Sequence, residues 1–102
     1  MGTKKALLIA KEFSDQVKKK YPVDKIYLFG SYAKDGANEG SDIDLCVVSP
    51  IFGKDYQKEE MELIKLAMKI DTDISPVPFN SVDINDKWSQ LAHEITTYGI
   101  QI

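Results

Sequence analysis

One cysteine, Cys46, occurs in the 102 residues. An internal disulfide is therefore excluded, and no Cys/His spacing resembles a zinc site. Long apolar runs are missing too: no stretch approaches the roughly eighteen residues of a membrane-spanning helix, and the start of the chain lacks the apolar core of a signal peptide. The expectation is a cytoplasmic protein with no membrane attachment. Positive charge is not in excess, since 13 Lys+Arg stand against 16 Asp+Glu, for a net charge of −3 and a pI near 5.1. Proteins that grip nucleic acid through many phosphates usually carry a basic patch and a high pI, so strong nucleic-acid binding is not expected. The basic cluster Lys18-Lys19-Lys20 falls at the end of a predicted helix, where cations complement the helix dipole. Repeats, low-complexity tracts and Pro/Gly/Ser-rich linkers are also missing.

What is present is the composition of one globular domain, 43% hydrophobic and 28% charged, spanning residues 1–102. A chain of this length buries roughly 60–70% of its unfolded surface, enough for one core without staples. Ala6, Ile9, Ala10, Phe13 and Val17 recur at helical spacing and predict a helix from Thr3 to Lys20. Tyr21-Pro22 ends it, because the residue before proline avoids helical dihedrals. The run Lys25 to Phe29 reads as a buried strand. A glycine-containing polar stretch follows, with Gly36 and Gly40, and Asp42 to Val48 reads as a second strand. A helix is predicted from about Asp55 to Ile70, its apolar face supplied by Met61, Leu63, Ile64, Ala67 and Met68. Asp71 to Phe79 reads as a third strand, placed at a sheet edge by Pro76 and Pro78, which cannot donate ladder hydrogen bonds. A last helical region is expected to start at Asn80 or Ser81 and run through Trp88, Leu91, Ile95 and Tyr98, with Gly99 as its C-cap and residues 100–102 as a final short strand. The order implies an α+β (mixed α/β) fold, one sheet with helices packed on it.

The chemistry concentrates between residues 28 and 44. Residues i and i+2 of a strand share a face, so Asp42 and Asp44 project together while Ile43, Leu45 and Val47 face the other way. Two like charges on one face are costly unless a cation lies between them. Mg²⁺ suits such a pair, because it takes oxygen ligands and is commonly shared between carboxylates and phosphates; a solvent-facing acidic strand is the bland alternative. Gly30 lets the backbone approach a phosphate closely, and Ser31 can donate to phosphate oxygens. A helical turn opening at Ser31 would add favourable potential, although a lone Gly-Ser more often marks a plain turn with a serine N-cap. Cys46 shares the Asp face and reads as a small buried residue. His93 reads as a surface residue, and Trp88 and Tyr98 as packing residues.

Taken together, Phe29-Gly30-Ser31, ten intervening residues ending in Ser41, and then Asp42-Ile43-Asp44-Leu45 resemble the nucleotidyltransferase superfamily that includes DNA polymerase β, and most closely its minimal single-domain members. The resemblance implies the small nucleotidyltransferase fold, with Gly30 and Ser31 binding the triphosphate of ATP and Asp42 and Asp44 binding Mg²⁺ in a two-metal site. It implies a third carboxylate from a later strand, for which Asp73 is favoured and Asp71 is the runner-up. Lys34 stands where an arginine is common, keeping a cation but losing the bidentate fork.

Catalysis of this kind transfers a nucleoside monophosphate, AMP from ATP, to a hydroxyl. Similar minimal nucleotidyltransferases are often encoded beside a HEPN-domain RNase toxin, as its antitoxin, which implies a HEPN protein as partner and AMP acceptor. Two other readings stand beside it: a non-catalytic antitoxin or binding module, and a small-molecule nucleotidyltransferase completed by a second subunit. A homo-oligomer is left open.

Overall fold

The computed structural model describes residues 3–34 and 41–102; the segment 35–40, with Gly36 and Gly40, lies outside them. Among the described residues three α-helices pack on one mixed sheet: α1 (Thr3–Lys20), β1 (Lys25–Phe29), β2 (Ile43–Ser49), α2 (Tyr56–Met68), β3 (Ile74–Asn80), α3 (Gln90–Tyr98) and β4 (Ile100–Gln101). The α+β reading therefore holds. Among the described residues no helix is long and apolar enough to cross a membrane.

The strands lie in the order β3-β2-β1-β4. β1 and β2 are antiparallel, with Phe29 opposite Asp44, and β4 adds to β1 at Tyr27 and Leu28. β2 and β3 are parallel, an arrangement that needs a crossover, which α2 supplies. Central β2 is covered on both faces. Ile43, Leu45 and Val47 pack with Phe13 and Val17 of α1 and Leu63 of α2. Cys46 and Val48 pack with Phe29, Ile84, Ala92 and Ile95 on the other face, under α3. The period-two alternation expected of this strand is thus met from Ile43 onward, and it assigns Asp44 to the α3 side; Asp42 precedes the strand.

β3 is an edge strand, as its prolines suggested. The carbonyl of Asp73 accepts from the Ile43 N–H at 2.8 Å, so odd-numbered residues of β3 direct their backbone groups to β2 and even-numbered ones direct theirs outward. Pro76 and Pro78 occupy outward positions, where a missing donor breaks no ladder bond.

Several boundaries and faces differ from the sequence reading. Met61 and Met68 do not face the core; they are 56% and 64% exposed. At about 100° per residue they lie roughly 140–160° around α2 from Leu63, and the buried stripe is Leu63 and Ala67, flanked by Leu66 and Ile70. The last helix does not begin at Asn80 or Ser81, because β3 continues to Asn80 and a 3₁₀ turn spans Asp83–Asn85. α3 starts only after Ser89, whose side chain accepts from the Ala92 N–H as an N-cap. Trp88 precedes that cap in a turn and is 83% exposed, so it is not a packing residue. Gly99 is the C-cap in extended backbone, and a Cβ there would stand 2.2 Å from the Ile95 carbonyl oxygen.

Tyr32 is buried in the α1 side of the core, and its hydroxyl has no hydrogen-bond partner among the described residues. A buried unsatisfied hydroxyl costs stability that an apolar isostere does not. Urea unfolding should therefore show Tyr32→Phe more stable than wild type by about 1 kcal/mol, whereas Met61→Ser should change stability by less than about 0.5 kcal/mol.

Candidate active site

β1 ends at Phe29, and the chain turns at once into a 3₁₀ turn, Gly30–Tyr32. A short helical turn does form here, opening one residue earlier than expected. Its N-cap is Phe29 without a side-chain cap bond, so Ser31 is not a capping serine; it lies exposed on the turn. The Gly30 carbonyl accepts from the N–H groups of Ala33 at 3.1 Å and Lys34 at 3.2 Å, which folds Lys34 back beside Gly30 and Ser31.

Gly30 has φ +72°, a left-handed conformation that glycine adopts without strain. A Cβ there would lie 2.2 Å from Asp44 Oδ2. The antiparallel register sets this approach, because Phe29 pairs with Asp44 and the next residue then turns across the carboxylate. The glycine is thus required by the neighbouring acid as much as by its own dihedral.

Asp44 is the first side chain of β2 on the α3 face, while Asp42 sits just before the strand and is exposed. The two nonetheless share a field. Burial raises the Asp44 carboxyl above its ordinary value, and the charges of Asp42 and then Glu94 raise it further. Cys46, next on the same face, is fully buried, and burial pushes its thiol up to about 12. Such a thiol is protonated and unreactive at neutral pH.

The two candidates for a third carboxylate do not lie in β3 but in the turn before it, so strand alternation does not govern them. Asp71 Oδ1 accepts from the Asp73 N–H at 2.8 Å, which commits the Asp71 carboxylate to the turn. The backbone of Asp73 bonds Ile43, between the paired acids, and Ser75 is the β3 residue opposite Asp44. Among the described residues no group of three or more His, Cys, Asp or Glu side chains is placed to hold a metal. Asp73 is therefore beside the pair in backbone but not gathered with it as a ligand cluster. The pair itself fits Mg²⁺: two mutually repelling carboxylates supply hard oxygens, and such an ion takes its other ligands from phosphates and water.

Sequence reading missed Glu94 and misassigned Tyr98. Lys34 forms an ion pair with Glu94 of α3, and its ammonium lies 5.0 Å over the Tyr98 ring. Tyr98 is 56% exposed and is no core residue. No local pattern announces this contact, which joins residues 60 apart in sequence.

The model of the nucleotidyltransferase domain family matches residues 10–90. The chain belongs to that family. A candidate protein adenylyltransferase of Methanocaldococcus jannaschii is 29% identical over 100 residues, covering 92% of this chain and 95% of the relative. Among solved structures, a toxin–antitoxin MntA–HpeT is 26% identical with a TM-score of 0.65, over 91% of this chain and 70% of that one. A candidate nucleotidyltransferase from Sulfolobus solfataricus, 19% identical, shares the fold at a TM-score of 0.69, over 97% and 80% of the two chains. The resemblance carried by residues 29–45 is therefore borne out at the level of the family: this chain is a nucleotidyltransferase-domain enzyme.

Two outcomes are expected from this geometry. Gly30→Ala should lower stability by about 1–3 kcal/mol through the strained dihedral and the contact with Asp44; in thermal unfolding the loss should shrink in an Asp44→Ala background, where the clashing oxygens are gone. The raised Asp44 carboxyl means that the folded state holds its proton to higher pH than the unfolded chain. Stability then falls as pH rises through that window. Asp44→Asn should accordingly unfold at or above the wild-type temperature at neutral pH, with the advantage fading as pH falls towards the ordinary carboxyl value of 3.8.

Proposed function

We propose that this nucleotidyltransferase transfers AMP from ATP to a hydroxyl on a partner protein, acting as the antitoxin of a HEPN toxin. The observation that carries the reading is the close approach of the Gly30 turn to Asp44, the second acid of the Asp42–Asp44 pair. A turn whose backbone can approach phosphate, next to a carboxylate suited to Mg²⁺, supports transfer chemistry, and a purely binding surface has no use for that arrangement. The adenylyltransferase assignment of the M. jannaschii relative and the toxin–antitoxin neighbour support the acceptor being a protein.

In this mechanism the Gly30–Ser31 turn holds the triphosphate, with Lys34 beside it as a cation. Asp42 and Asp44 would hold Mg²⁺, which would supply positive charge to offset that of the phosphates and of the departing pyrophosphate. The acceptor hydroxyl oxygen forms a bond to the α-phosphorus, and the bond from that phosphorus to the bridging oxygen of the β-phosphate breaks. Pyrophosphate leaves with the electron pair. Asp73 is the residue proposed to receive the hydroxyl proton and to complete a second metal site, on the strength of its backbone bond beside the pair; Asp71 is less suited, its carboxylate being occupied by the turn.

Calorimetry with ATP, with and without Mg²⁺, tests the reading. Wild type should bind in a Mg²⁺-dependent manner, and the Asp42→Asn/Asp44→Asn variant should not. With a HEPN partner present, the partner should gain AMP, and Asp73→Asn should slow transfer far more than Asp71→Asn. Wild type that binds no nucleotide, alone or with the partner, would overturn the transferase in favour of a binding module. Turnover of a small hydroxylated molecule with no modification of the partner would overturn the protein acceptor.

A further inference from the structure

We propose that Glu94 and Tyr98 of α3 are positioning residues for the triphosphate, acting through Lys34. The inference rests on the nucleotide reading above and deepens it by joining α3 to the phosphate site.

Three observations combine. Lys34 is folded beside Gly30 by its own N–H, which bonds the carbonyls of Gly30 and Ser31 at 3.2 and 3.3 Å. Its ammonium does not extend freely into solvent but is ion-paired to Glu94 and lies over the Tyr98 ring. Glu94 and Tyr98 are four residues apart, one helical turn, and so form a single cradle on one face of α3. The third observation is the place of that cradle: α3 packs through Ala92 and Ile95 on Cys46 and Val48, the face of β2 that also carries Asp44.

The arrangement serves an anionic substrate in two ways. A free lysine loses much rotamer entropy when it closes on a phosphate, and a lysine already held loses less. An ammonium has three donors; with Glu94 taking part of that capacity and 44% of the side chain exposed, donors remain for phosphate oxygens. The ion pair also offsets the negative charge of Glu94, which would otherwise stand bare on the Asp44 side of the sheet and repel the triphosphate. The chain contains no arginine, so no planar guanidinium fork is available to do this work pre-organised. A lysine made rigid by an acid and an aromatic ring takes its place.

The test is a double-mutant cycle read by calorimetry with MgATP on the full chain: wild type, Glu94→Gln, Lys34→Ala and the two combined. If Glu94 acts by positioning Lys34, Glu94→Gln weakens MgATP binding about three- to fivefold, the scale of an exposed ion pair with a ring contact. In the Lys34→Ala background it then causes no further loss. In the transfer assay Glu94→Gln should raise KM for ATP and leave kcat near wild type, and Glu94→Asp should recover part of the loss. Tyr98→Leu provides a second probe, removing the ring without touching charge, and should weaken binding in the same Lys34-dependent way. Equal losses from Glu94→Gln in both backgrounds would overturn the proposal, because Glu94 would then act on the site directly. Unchanged or tighter binding by Glu94→Gln would overturn it as well, because α3 would then hold Lys34 away from the nucleotide. Wild type that binds no MgATP fails the transferase reading itself, a result distinguishable from either.

Discussion

Gly30 and Asp44 approach so closely across the β1–β2 ladder that no side chain fits between them, and the candidate active site is built around that contact. It requires β1 to stop at Phe29, the chain to turn with positive φ, and the register to set Phe29 against Asp44. The rest of the fold holds these three conditions in place. β2 is buried on both faces and cannot slip by one residue without sending Ile43, Leu45 and Val47 to the α3 side and Asp44 into the core under α1. α2 returns the chain so that β3 lies parallel to β2, bringing the Asp73 carbonyl to the Ile43 N–H between the two acids.

That rigidity maintains an electrostatic conflict. Asp44 is half-buried with Asp42 and Glu94 in its field, an arrangement that a folding criterion alone would remove. The hydrophobic contacts of Cys46, Val48, Ile84, Ala92 and Ile95 directly behind it hold the carboxylate in position despite the repulsion. Local conflict of this kind belongs at functional sites, where scaffold stability is exchanged for a preorganised charge.

Much of this was legible before any coordinates. The β1 strand is a continuous apolar and aromatic run, and the Asp face of β2 follows from a period of two, which needs no tertiary information. The helix of Thr3–Lys20 was legible to its ends because its stripe is unbroken and Pro22 stops it. Where apolar residues surround a helix more evenly, periodicity fails: Met61 and Met68 share spacing with Ile64 yet lie away from the buried stripe of α2. Asp71 and Asp73 were read as strand residues because alternation continues into the turn, whereas an Asx hydrogen bond from Asp71 shapes the backbone there. The cradle around Lys34 was not legible at all, since it is a contact between distant segments made by side chains that each look ordinary in their own surroundings.

The prolines of β3 have an effect beyond marking an edge. Outward along that strand, the Ile74 N–H is already bonded to the Asp71 carbonyl at 3.3 Å, and Pro76 and Pro78 have no N–H to offer. Three successive outward positions therefore present no free donor, and a stray extended segment laid against them would leave its own carbonyls unsatisfied. The exposed flank of the sheet is closed to strand addition by its covalent structure rather than by a cover. The molecule can thus leave this edge open to solvent at high concentration without offering a template for polymerisation.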